Sequence, residues 1–276
     1  MNRPELYQQI AAEAERGELV FPTSAEVGLR IKRALDDPDA SMEQAAKLIQ
    51  AEPVLTARVV AMANSVTYNY SGREITDLKQ AVSRLGFRTL KSLTMSVLTR
   101  QIAGAATDPE LKKMSQQLWE HTAHVSALCH VIARRVTHQD PETALLVGIL
   151  HEVAGFYLIG RAQGKAELLT GDLPDWQGEG EMVVGGALLK ALGVPEAVST
   201  AIEDFWEGYL AMPPTSMGDT LLLAEELAPV PSPLYWVPDG SEHERPQIEI
   251  AIDKETLSSI MAESAEDVQS LLAALK

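Results

Sequence analysis

Two aspartate–proline pairs, Asp108-Pro109 and Asp140-Pro141, each stand at the head of a long apolar run with helical spacing. An aspartate before a helix can accept from the free N–H groups of the first turn. Proline loses nothing at the first helical position, because its missing N–H would have no partner there. The first pair predicts a very long helix carrying Trp119 and His121 and ending near Thr137. The second predicts a helix that ends with His151-Glu152. The same logic covers most of the chain. Thr23 with Glu26, and Ser41 with Gln44, read as capping boxes for two helices, and Pro53 suits the first turn of a third running from Val54 to about Ala63. Asp77 caps a helix through Ala81, Val82 and Leu85 that stops at Gly86, and another follows from Phe87 to Ile102. Gly155 and Gly160 are expected to close the His151 region, with a linker around Gly171, Pro174 and Gly178 after it. Helices near Met182–Leu192, from Pro195 to Trp206 and over Asp219–Leu227 come next, then an irregular proline-rich stretch, Pro229–Pro246. Two short helices, from about Lys254 and from Ala265, finish the chain. Only Gln247–Ile252 alternates as a strand would. The expected class is all-α.

The 276 residues suffice for one large domain or two modest ones. With 46% apolar and only 5% aromatic residues, the core must be built from Leu, Val, Ile, Ala and Met. No uninterrupted apolar stretch reaches bilayer length, and Met1-Asn2-Arg3-Pro4-Glu5 lacks the plan of a signal peptide. A single cysteine, Cys129, fits a reducing cytoplasm and a small core residue. A cytoplasmic protein without a membrane partner is therefore expected. The net charge of -16 argues against broad nucleic-acid binding. That charge is uneven, with thirteen Lys/Arg against twelve Asp/Glu in residues 1–100 and ten against twenty-seven thereafter. Arg73, Lys79, Arg84, Arg88, Lys91 and Arg100 face only Glu74 and Asp77 within their stretch. Such a surface suits an acidic partner, the acidic second half of the same chain, or solvent.

Several motifs follow one another in a definite order. Glu52-Pro53-Val54-Leu55-Thr56-Ala57-Arg58 precedes Ala63-Asn64-Ser65, and Ile75 leads through Ala81-Val82-Ser83-Arg84-Leu85-Gly86 to Leu90. Trp119-Glu120-His121 and Gly148-Ile149-Leu150-His151-Glu152 come later. Together they resemble the HDOD family, the HD-related output domains of bacterial signalling, over about residues 17–228. The resemblance implies a helical N-terminal half, 17–105, packed on a degenerate HD-phosphohydrolase-like half, 106–228, with 229–276 as a helical extension expected to pack on the rest. Asn64 and Ser65 fall where a helix should end and can bond freed backbone groups. Gly86, after Leu85, permits a left-handed turn between two helices. The helix–Gly–helix also has the outline of a DNA-reading motif, in which Arg88 and Lys91 would be exposed and Leu90, Leu93 and Val97 buried.

Carried across by position, the HD pattern places metal ligands at His121, His151, Glu152 and Glu225, with both aspartates lengthened to glutamate. The longer arms are expected to displace the ion, because coordination distances of about 2 Å leave no slack. Met182 stands at an outer histidine position, and Phe205-Trp206 replaces a histidine pair; none of these side chains serves a hard ion or a phosphate as histidine does. The structural reading of His121 and His151 is that of satisfied core histidines, with His124 partly exposed. The expectation is therefore no catalytic residue, no metal and no cofactor. What remains is a vestigial pocket of His121, His151, Glu152, Phe205, Trp206 and Glu225 able to bind a small ligand. The function expected is a non-catalytic signalling module with a protein partner or a small ligand. The alternatives are an HD-type phosphohydrolase acting on a nucleotide second messenger and a DNA-associated regulator.

Overall fold

A computed structural model describes residues 2–22, 25–103, 107–170, 173, 175–208, 210–235 and 254–275. The described residues form helices and no strand; Thr23 and the strand-like Gln247–Ile252 lie outside them. The all-α expectation holds. The chain opens with α1, Arg3–Glu15, which the apolar spacing did not announce. Its signal is local: Asn2 accepts from Glu5 N while Glu5 reaches back to Asn2 N, and a proline follows in the first turn.

The N-terminal half comprises α2 (Ala25–Asp36), α3 (Met42–Gln50), α4 (Pro53–Asn64) and α5 (Leu78–Ile102). The last is two helices joined at Gly86, whose φ of 74° and ψ of 172° suit glycine alone. Beyond that joint, Leu90, Leu93 and Val97 are buried and Arg88 is exposed. Asn64 holds the loop that follows α4 by a two-way bond to Ile75, accepting from its N (2.8 Å) and donating to its O (2.6 Å). Ser65 donates instead to Met62 O at the end of its own helix.

The second half begins with α6 (Pro109–Ile132), extended by a π-turn over Ala133–Thr137, and α7 (Pro141–Leu150). Asp108 and Asp140 cap them, each accepting backbone N–H bonds. The helix α8 then runs Val153–Arg161 through Gly155 and Gly160, which lie inside it and do not close the region. These glycines allow close packing: a Cβ on Gly160 would stand 3.0 Å from Ile102 O. By length and composition Pro141–Arg161 would cross a membrane, yet His151-Glu152 interrupts its apolar run, it is broken between α7 and α8, and 83% of its apolar window is buried within the protein. The bundle is completed by α9 (Glu181–Ala191), α10 (Glu196–Glu207) and α11 (Met217–Leu227). The two short helices expected at the C-terminus are one continuous helix, α12 (Lys254–Leu275). It packs on α4 and α6, one from each half, while α1 packs on α9 and α5 lies against α7 and α8.

Candidate functional site

The helices α6 and α7 approach closely because Gly148 has no side chain: a Cβ there would sit 2.5 Å from Ser126 Cα. That approach brings His121, midway along α6, against His151, which caps α7. His151 Nδ1 donates to Gly148 O (2.7 Å) and His121 Nδ1 donates to Val230 O (2.8 Å). Carbonyl oxygens only accept, so each ring carries a proton on Nδ1 and turns Nε2 to the site. The two Nε2 atoms lie 3.1 Å apart. Glu225 Oε2 stands 3.2 Å from one and 3.5 Å from the other, and Glu152 Oε1 is 3.9 Å from His121 Nε2.

This crowd of acceptors requires a shared proton or a cation. Burial alone would lower the His121 pKa, but the Glu225 carboxylate overrides it and holds the imidazole up at about 9. Burial would likewise raise Glu225, but His121 and then His151 hold it well below the usual carboxylate range. Glu152 goes the other way. It is fully buried, neither oxygen has a hydrogen bond, and burial raises its pKa against the pull of His151 and His121. Ser232 faces it without a bond of hydrogen-bond geometry.

The donor set fits a divalent ion. Ligands about 2.1 Å from a common ion stand roughly 3.0 Å apart at right angles and roughly 3.4 Å apart at tetrahedral angles. His121, His151 and Glu225 are already at such separations, and His121, His151 and Glu152 offer ligand atoms within 4.8 Å of one another. The lengthened carboxylates expected to unseat the ion instead reach the imidazoles. Of the remaining pocket residues, Phe205 meets the His151 ring edge-on at 6.1 Å. Trp206 lies over Gly185, where a Cβ would be 2.5 Å from the indole, and its N–H has no acceptor.

Sequence reasoning missed Glu181. Met182, assigned to the outer histidine position, is 47% exposed, whereas Glu181 beside it is buried. Tyr235 donates to both of its oxygens, at 2.8 and 3.0 Å. Burial, reinforced by Glu152, pushes the Glu181 carboxyl well above its ordinary range. The signal was present in the spacing: Glu181, Val184, Gly185 and Leu188 form one inward stripe of α9. The strap Pro229–Tyr235 was also missed as part of the site. Besides Val230 on His121 and Tyr235 on Glu181, Gln117 donates to Pro231 O (3.1 Å), Ser232 is buried, and Leu234 fills the space left by Gly155. The rest of the expected irregular stretch, including Pro238 and Pro246, lies outside the described residues.

Several solved structures share the fold, three of them as follows. A Shewanella amazonensis SB2B protein, provisionally described as a metal-dependent phosphohydrolase, matches with a TM-score of 0.72 at 20% identity, covering 100% of this chain and 99% of that one. An HDOD domain protein of unknown function from Geobacter sulfurreducens gives 0.63 at 23% identity, covering 98% and 97%. A Marinobacter aquaeolei VT8 protein, provisionally described in signal transduction, gives 0.55 at 20% identity over 92% of this chain and 59% of that one. In sequence, an uncharacterised protein of Treponema pallidum is 26% identical over 125 residues, which is 45% of this chain and 23% of that relative's length. The HDOD domain model matches residues 21–206, two thirds of the sequence. With the motifs and the helical architecture in agreement, the chain belongs to the HDOD domain family.

Proposed function

We propose that the protein is a non-catalytic regulatory module of bacterial signalling that works by binding a protein partner or a small ligand. One observation carries this reading. The strap Pro229–Tyr235 lies over the histidine–glutamate cluster, tied to it where Val230 accepts from His121 and to the neighbouring Glu181 at Tyr235. Three of its four members are buried, His121, His151 and Glu152 being 0–1% exposed, while the Glu225 side chain is 17% exposed. A phosphate ester would need to reach the same side that Val230, Ser232 and Leu234 fill. Phe205 and Trp206, where phosphate-binding imidazoles would help, offer ring carbon and one indole N–H.

His121, His151, Glu152 and Glu225 would hold a divalent ion, and a bound ion would supply Lewis acidity toward a water or phosphoryl oxygen. With the histidines and Glu152 buried beneath the strap, these residues fix α6, α7, α11 and the strap relative to one another. The donor spacing favours a second reading, a metal-dependent phosphohydrolase whose strap leaves during turnover. A screen of Mn2+-loaded protein against phosphodiesters and cyclic dinucleotides separates the two. We expect no hydrolysis above that of His151→Ala. Turnover by the parent protein that vanishes in His151→Ala would replace the binding module with an enzyme.

A further inference from the structure

Glu152 is fully buried, and neither of its carboxylate oxygens has a hydrogen bond. Desolvating a carboxylate without replacing its bonds to water costs free energy, so whatever covers it must be held in place by other contacts. The cover is hydrocarbon, and part of it comes from the strap. A Cβ built on Gly155 would stand 2.8 Å from Glu152 Oε2, 2.5 Å from Leu234 Cδ1 and 3.2 Å from Leu118 Cδ2. The notch left by that glycine is therefore shared by a bare carboxylate oxygen and two leucine methyls. The polar ties of the strap lie on either side of Leu234 in the chain. His121 Nδ1 donates to Val230 O and Gln117 to Pro231 O before it, and Tyr235 donates to Glu181 after it. Ser232 Oγ accepts from Leu234 N at 3.3 Å, a bond internal to the strap. Pro229, Pro231 and Pro233 have no N–H, so alternate residues offer no backbone donor to the helices beneath.

We propose that the strap Pro229–Tyr235, with Leu234 as its plug, is a closure that controls exchange of a divalent ion between solvent and the cluster of His121, His151, Glu152 and Glu225. Such a role requires only that the donor set take up an ion, whether or not the site is catalytic. A hard divalent cation travels with a shell of water oxygens and sheds it only as ligand oxygens and nitrogens replace it. The methyls of Leu234 and Leu118 offer no such replacement at the face of Glu152. The Glu225 side chain reaches solvent, yet its Oε2, the oxygen turned to the histidines, is buried. Glu225 lies in the last turn of α11, directly before the strap. Lifting the strap would therefore open the cluster both at Glu152, across the Gly155 notch, and at the end of α11. Leu234 lies outside the ligand set, so loosening it should speed entry and escape alike and leave the affinity nearly unchanged.

The test loads the full chain with Co2+ and follows its visible absorbance after mixing with excess chelator. No substrate is present, so the outcome is independent of whether the cluster turns over phosphoryl groups. In the parent protein, release should be slow and should not quicken with chelator concentration. Leu234→Ala should speed release at least about tenfold. Tyr235→Phe, which frees the far end of the strap and keeps the ring, should speed it as well. Calorimetric titration with Co2+ should give dissociation constants within about threefold of one another for the parent and both variants. Leu35→Ala, a core truncation in α2 remote from the strap, controls for general loosening and should leave the release rate as it is in the parent. Release unchanged in both strap variants, equal acceleration in Leu35→Ala, affinity lost in proportion to the faster release, or no saturable Co2+ binding would each overturn the closure.

Discussion

His121 shows how one side chain can serve two structures, since its Nδ1 anchors the strap while its Nε2 joins the cluster. Its raised pKa has a consequence for stability. A histidine whose folded pKa exceeds the ordinary value of about 6.5 stabilises fully below that value and loses the contribution as pH rises through about 9. In chelator-treated protein, the gap in urea midpoint between the parent and His121→Gln should be widest near pH 6.5 and should narrow toward pH 10. A gap that stays constant or grows with pH would remove the protonated pair. Gly148 sets the geometry beneath it. Its Cβ would meet Ser126 Cα at 2.5 Å and Ser126 N at 3.0 Å, backbone atoms that cannot swing aside. Gly148→Ala should therefore cost about 3 kcal/mol in chemical denaturation, at the upper end for overpacking. Gly86→Ala differs in kind, because nothing lies within 4 Å of an added Cβ there. Its cost, about 1–3 kcal/mol, would come from backbone conformation alone.

The elements differ in how much of them the sequence exposed. Asp108-Pro109, Asp140-Pro141 and the Ser41–Gln44 box are local devices, and the helices start where they indicate. Gly155 and Gly160 misled because glycine that stops a helix and glycine that admits a neighbour look identical in sequence; only Leu234 and Ile102 across the gap distinguish them. The histidines, Glu152 and Glu225 were legible by position along the HD pattern. The strap was not, since a proline-rich stretch shows no periodicity and its role lies in one carbonyl and one hydroxyl. Tyr235 is the most testable part of that role. Tyr235→Phe would leave the buried Glu181 carboxyl without the shared bond from that hydroxyl, at a cost of about 1–3 kcal/mol. Hydrogen exchange should quicken over 229–235 and the C-terminal part of α11 while α2 to α4 keep their protection. Uniform change across the chain would show that the strap is no separate element.

At the scale of the whole molecule, the cations that follow Gly86 are engaged within the fold. Arg88 pairs with Asp140 at 2.7 Å and Lys91 with Asp36 at 3.0 Å, so the two cations that would face a DNA groove are tied to acids of the same chain. Arg84 donates to the carbonyls of Ala63 and Arg73. At the far end, Arg134 and Arg135 meet Asp267, and Val66 N donates to Ser270 Oγ, fastening α12 across both halves. Duplex binding draws on phosphate neutralisation by available cations, and a molecule of net charge -16 must first overcome its own field. No salt-dependent binding to mixed-sequence duplex is therefore expected near physiological ionic strength. Arg88→Ala and Lys91→Ala should instead lower stability by a few tenths of a kcal/mol, as exposed ion pairs do. Mobility-shift and melting measurements on the same variants separate these effects. A duplex complex that weakens in both variants while their melting stays unchanged would mean that Arg88 and Lys91 serve a polyanion before they serve the fold.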